Sequence, residues 1–293
     1  MNNRTLLYAL TLTCILLIFG AWTLAFFHYG AAVRQTPAPQ ALATLQAGPA
    51  AEPQFNPPKP QDAPEDMREA VMLGYNIIND TAQYAPEHVG NELACATCHL
   101  KGGTSKASIT LVGVAATYPR FLASHGYSAD LAQKVQDCFA RNLNAAPPAL
   151  DSRTMQAVLA YLHWISKDIP VYAKLPWALP AKLDSNHKPD AASGASVYAD
   201  NCAACHGDAG DGSPPLWGNG AYTDGSTMHD INTFAVYTHR FMPPDAANLT
   251  PEQALDVAAY VDGQPRPHYA PAKPATASFP SLRCKIVQAI EAL

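Results

Sequence analysis

Cys95-Ala-Thr-Cys98-His99 and Cys202-Ala-Ala-Cys205-His206 repeat one pattern, a little over a hundred residues apart. In C-x-x-C-H two thiols can add to the two vinyl groups of a haem, and the adjacent histidine can ligate the iron from one face. A zinc ribbon also pairs C-x-x-C elements, and a redox dithiol uses one, so the pairing alone leaves those readings open. The histidine directly after the second cysteine, present both times, selects covalent haem. Two haem c groups are therefore expected, attached through Cys95, Cys98, Cys202 and Cys205 with His99 and His206 as proximal ligands. Each implies a small helical haem domain. The fold class that follows is mainly α: two class I cytochrome c-type domains in tandem behind one N-terminal transmembrane helix.

The rest of the composition fits. The 293 residues, 48% hydrophobic and 15% charged, are enough for two globular domains. A net charge of −5 and a pI near 6.0 give no basic footprint for nucleic acid. Four of the seven cysteines belong to the haem motifs, which leaves Cys14, Cys138 and Cys284. An odd remainder argues against a disulfide framework.

Outward from the motifs, Thr5 to Phe27 runs 23 residues without a charge. A bilayer needs about 20, and a cleaved signal peptide has an apolar core of only about 7–15. The run reads as a retained anchor within residues 1–34, with Arg4 keeping the amino terminus cytoplasmic and the haem domains in the periplasm. Cys14 then lies in lipid as a small apolar residue. Residues 35–61 are rich in Pro and Ala and read as an extended tether.

The first haem domain is expected over residues 62–180 and the second over 181–270, with a tail over 271–293. In the first, Asp66 to Asn79 shows helical spacing with Gly74 placed for close helix packing, and Thr154 to Ser166 reads as the closing helix capped by Asp151 or Ser152. No methionine lies between His99 and Met155, and Met155 falls in the closing helix. The distal ligand of haem 1 is open among His125, Cys138, a lysine and His163. In the second domain Ala191 to Asn201 reads as a helix leading into Cys202, with Gly194 and Tyr198 in packing positions. Met242, followed by Pro243 and Pro244 and lying 36 residues beyond His206, is the expected distal ligand, with Met228 as runner-up. Thr250-Pro251-Glu252-Gln253 starts the last helix as a capping box. The tail is amphipathic, and Cys284 within it has no assigned role.

Phe55-Asn-Pro-Pro58, Gly74-Tyr75, Asn79-Asp80-Thr81 and Gly90-Asn91-Glu-Leu-Ala-Cys95, with Val112-Gly113-Val114, Tyr118-Pro119 and Cys138-Phe139-Ala-Arg141, resemble the pattern of the dihaem thiosulfate dehydrogenases. The resemblance covers about residues 55 to 270. It implies that Cys138 is the axial thiolate of a first, catalytic haem, at which thiosulfate is oxidised to tetrathionate. It also implies catalytic roles for Arg141 and Lys134. Family arginines fall on Ser124 and Lys134, and a family serine on Asn142, so the haem surroundings are kept while the substrate pocket is changed. A lysine offers a point charge where an arginine offers a fork.

Three functional readings follow. The first is an anchored dihaem carrier that moves electrons from haem 1 (His99/Cys138) to haem 2 (His206/Met242) and on to a cytochrome or terminal oxidase. The order follows because thiolate lowers and thioether raises the iron potential. The second is a thiosulfate dehydrogenase working at haem 1. The third is a cytochrome subunit of a larger membrane respiratory complex.

Overall fold

A computed structural model describes residues 52–122 and 126–270, together with Thr23. The apolar run Thr5–Phe27, Cys14, Ser124, His125, Cys284 and the tail over 271–293 lie outside the described residues, Thr23 apart. Among the described residues no helix is long and apolar enough to cross a membrane.

Among the described residues, six helices of eleven or more residues carry the fold: α1 (Glu65–Asn79), α2 (Leu131–Arg141), α3 (Arg153–Trp164), α4 (Ala191–Asn201), α5 (Ile231–Phe241) and α6 (Pro251–Asp262). A short antiparallel hairpin, β1 (Arg120–Leu122) and β2 (Tyr127–Ala129), pairs Arg120 with Ala129. Both haem motifs sit in single helical turns, Cys95–Cys98 and Ala203–His206.

Two helix crossings organise the chain, and each is made at a glycine. A Cβ on Gly74 of α1 would lie 2.1 Å from the Ala157 carbonyl oxygen of α3. One on Gly194 of α4 would lie 2.0 Å from the Asp256 carbonyl oxygen of α6. Only glycine lets the backbones approach this closely. Tyr161, completely buried, closes the first crossing and donates its hydroxyl to the Gly102 carbonyl at 2.8 Å. Tyr198 does the same in the second, donating to the Gly207 carbonyl at 2.7 Å. Met155 is fully buried in α3 and packs there.

The caps are local. Ser152, not Asp151, caps α3 and accepts from the Met155 N–H at 3.2 Å. Thr250 and Gln253 form the reciprocal box at α6, and Asp130 and Gln133 form another at α2. The carboxyl-proximal part of the tether does not stand off the first domain. Phe55 meets Trp177 edge-to-face at 5.1 Å, and the Lys59 carbonyl accepts from the Trp164 indole at 3.0 Å.

Candidate functional site

The site of the first domain grows from the turn after Cys98. His99 Nδ1 lies 2.7 Å from the Ile109 carbonyl oxygen. The nitrogen facing a carbonyl must carry the proton, so Nε2 keeps its lone pair and points away from the backbone. Burial holds the imidazole below its ordinary value; the Ile109 carbonyl partly opposes this, and the nearby Lys134 cation adds to it. His99 is thus kept neutral, the form that ligates a metal.

Opposite, a cavity of about 500 Å³ opens. Cys95 and His99 form one wall, and Lys134, Val135, Cys138 and Phe139 of α2 form another. Lys134 and Cys138 share that wall because they are four residues apart on one helix. Tyr118, Arg120 and the segment Ala173 to Leu179 close the remaining sides. Trp177 in that segment is pinned by its indole N–H to the Val112 carbonyl at 2.9 Å. Most of the lining is apolar, and Arg120 and Lys134 are its cations.

Burial pushes the Cys95 and Cys98 thiols up to about 11 and about 12, with Cys138 close enough to add to both shifts. Cys95 and Cys138 both line the cavity. Among the described residues no three His, Cys, Asp or Glu side chains converge as a metal-ion ligand set, and none of the described cysteines is in a disulfide. The two C-x-x-C elements do not form the four-ligand cluster of a zinc ribbon. The volume and apolar lining suit a flat cofactor of haem size.

The second domain repeats the proximal half. His206 Nδ1 lies 2.8 Å from the Pro214 carbonyl oxygen, which leaves its Nε2 free in the same way. Cys205 is exposed and Cys202 half-buried, so one attachment edge reaches the surface. Met242 ends α5 and is half-buried. Met228 is packed into the hydrophobic core. A core methionine fills space, whereas Met242 sits at a helix end where a side chain can turn inward.

Two family models match different parts of the chain. The family model described as SoxA/TsdA, cytochrome c domain matches residues 81–171. That of the cytochrome c oxidase cbb3-type subunit III matches residues 189–261. A thiosulfate dehydrogenase of Stutzerimonas stutzeri is 37% identical over 240 residues, covering 78% of each chain. The chain belongs to the thiosulfate dehydrogenase family. A second member, from Allochromatium vinosum, is 35% identical over 215 residues, covering 69% of this chain and 80% of its own. The solved "as isolated" form of thiosulfate dehydrogenase (TsdBA) from Marichromatium purpuratum superposes with a TM-score of 0.69 at 28% identity. That alignment covers 85% of this chain but 55% of the other, so this chain spans about half of that protein's length.

As a thiosulfate dehydrogenase family member the chain carries two covalently bound haem c groups. Cys95, Cys98 and His99 of the first C-x-x-C-H, and Cys202, Cys205 and His206 of the second, are the residues that would hold them. The residues expected at the first distal side part company. Cys138 and Lys134 line the cavity. His163 is exposed on α3 and faces away. Arg141 does not line the cavity: its Nη1 donates to the Gly225 carbonyl of the second domain at 2.9 Å. Asn142 is likewise drawn out of the pocket, its Oδ1 accepting from Ser226 Oγ at 2.6 Å. The residue at 142 is therefore not a change of substrate pocket, because its side chain is committed elsewhere. Arg120 is in the cavity wall. Its guanidinium lies 4.8 Å above the Tyr118 ring.

Proposed function

We propose that this chain oxidises thiosulfate to tetrathionate in the cavity between His99 and Cys138. The carrying observation is that Lys134 and Cys138 share one face of α2, with Arg120 in the adjoining wall of an otherwise apolar cavity. A dianion is drawn into such a site by the two cations and held beside the iron position. Their charge counts for more there because the apolar walls exclude water.

Two thiosulfate dianions join through one new S–S bond and give up two electrons; no proton moves. Haem, when bound, supplies a one-electron acceptor at each of the two sites. Cys138 as thiolate would donate electron density to the first, and Met242 as thioether would favour the reduced form of the second. Electrons would then pass from the first domain to the second and out to a respiratory acceptor. The match of the second domain to a cbb3-type oxidase subunit supports a cytochrome or oxidase as that acceptor. The charge-free run Thr5–Phe27 supports attachment to the cytoplasmic membrane, with the haem domains in the periplasm where c-type haem is attached.

Lys134 where the family has an arginine favours a second reading, a carrier without substrate of its own. Steady-state assay with thiosulfate and ferricyanide separates the two. Turnover supports the dehydrogenase; no turnover, with haems that still reduce chemically, leaves the carrier. A redox titration that finds the first haem at the higher potential overturns the electron order.

A further inference from the structure

The last turn of α2 leaves the cavity and enters the second domain. The Arg141 carbonyl accepts twice from Thr223, from the backbone N–H at 3.0 Å and from Oγ1 at 2.8 Å. Its guanidinium donates to the Gly225 carbonyl, lies 4.3 Å above the Tyr269 ring, and has Asp137 Oδ1 3.5 Å from Nε. Asn142 adds the bond from Ser226, and its carbonyl accepts from Asn91 Nδ2 at 2.7 Å. The same Asn91 amide reaches the Ala221 carbonyl at 3.0 Å, and Glu92 N–H donates to the Gly220 carbonyl at 3.1 Å. One loop of the second domain, residues 220–226, is thus gripped from two directions. One grip is three to four residues beyond Cys138, and the other is three to four residues before Cys95.

Domains joined by a linker move relative to one another unless an interface holds them. The connection from Ile165 to Asp190 contains no helix or strand, so it does not hold them by itself. We infer that Arg141 is a positioning residue that locks the second cytochrome domain onto the helix carrying Cys138, fixing the separation of the two haem sites and so the rate of electron passage between them. The inference rests on the electron route proposed above, but not on thiosulfate as the donor. Electron tunnelling falls steeply with distance, so a loosened domain passes electrons slowly even with both ligand sets intact. The planar guanidinium suits the task because it can donate to a carbonyl, stack on a ring and face a carboxylate at once.

The test uses the full-length dihaem protein without thiosulfate. A flash-generated flavin semiquinone injects one electron, and its redistribution between the haems is followed by absorbance. Arg141→Ala should slow the inter-haem step about tenfold, the effect of losing one charge-assisted hydrogen bond from the docked state. Arg141→Lys should fall between it and the parent. The low-spin thiolate EPR signal of the first haem should persist in both. A parent-like rate in Arg141→Ala overturns the inference. So does loss of the thiolate signal, which would mean that Arg141 serves Cys138 rather than the domain contact. Thr223→Val and Gly225→Ala loosen the same lock from the other side; a Cβ at Gly225 would lie 2.5 Å from the Tyr269 Cβ. Both should slow the step if Arg141→Ala does not fold, and unchanged rates in both overturn the lock. Failure of the thiosulfate reading would show separately, as absent steady-state turnover with a normal inter-haem rate.

Discussion

The two haem domains are alike on the proximal side and different on the distal side. Each has a glycine-mediated crossing between its first and last helix, a buried tyrosine at that crossing, and a histidine held through Nδ1 by a backbone carbonyl. Beyond the histidine they diverge. The first domain places α2 there, bringing a thiol and an ammonium to a roomy cavity. In the second, α5 ends at Met242, the expected thioether ligand. The proximal half is what any haem of this kind needs, so it is duplicated; the distal half sets potential and access, so it is where the functions separate.

Removing the thiol should collapse the difference most. Cys138→Ala is expected to abolish the low-spin thiolate EPR signal and cut thiosulfate turnover by more than about a hundredfold, beyond the 10–100-fold usual for changes outside the first coordination shell. The spectrum of the second haem should not change. On the other side, Met242→Ala should lower the potential of the second haem by an amount on the order of 0.1 V, within the roughly 0.8 V that axial ligands command. Met228→Ala should instead cost about 2–5 kcal/mol of stability, as a core deletion does, and leave that potential in place. The reverse result, with Met228 setting the potential, would reassign the ligand.

The shared half makes a matched prediction. Gly74→Ala and Gly194→Ala both drive a methyl into a backbone carbonyl. Each should destabilise its own domain by about 1–3 kcal/mol in denaturant unfolding. Lys134→Gln should raise the KM for thiosulfate about tenfold, the effect of one charge-assisted contact, with a smaller change in kcat. An unchanged KM would remove Lys134 from the binding site.

The smallest effect lies in the second domain. Asp224 accepts from Tyr269 N–H at 2.7 Å and pairs with His268 at 2.7 Å. These contacts, the backbone bond first, hold its carboxyl below the ordinary 3.8. A depressed carboxylate contributes stability above its unfolded value and loses it as pH falls through the folded one. Asp224→Asn should therefore be slightly less stable at neutral pH and converge with the parent as pH falls through the carboxyl's depressed folded value. Urea midpoints across that range would check it.

Much of this was legible without coordinates because it is local. The capping box at Thr250 and Gln253, the α4 boundaries and the glycines at the crossings depend on a few neighbouring residues and on backbone sterics. Two functional helices were not foreseen from the spacing. α2 carried a readable signal in Asp130 and Gln133. α5, Ile231–Phe241, is rich in β-branched and aromatic residues that favour strands, and it is helical because Asp230 caps it and its buried face packs on α6. The β1–β2 hairpin was not foreseen either, being two three-residue strands without a strong alternation.

The sequence alone showed the two C-x-x-C-H motifs, and with them the six residues expected to attach and ligate two haem c groups. Thioether attachment and proximal ligation are written in five consecutive positions, and no folding step can separate them. The tertiary structure alone decided what stands on the far side. Cys138 and Lys134 reach His99 only because α2 folds back across the cavity. Arg141 and Asn142, at the end of the same helix, extend past that wall and bond to the second domain. Neighbours in a motif share a chain position, but a helix turns about 100° per residue and ends somewhere, so only the packing shows which of them face the same chemistry.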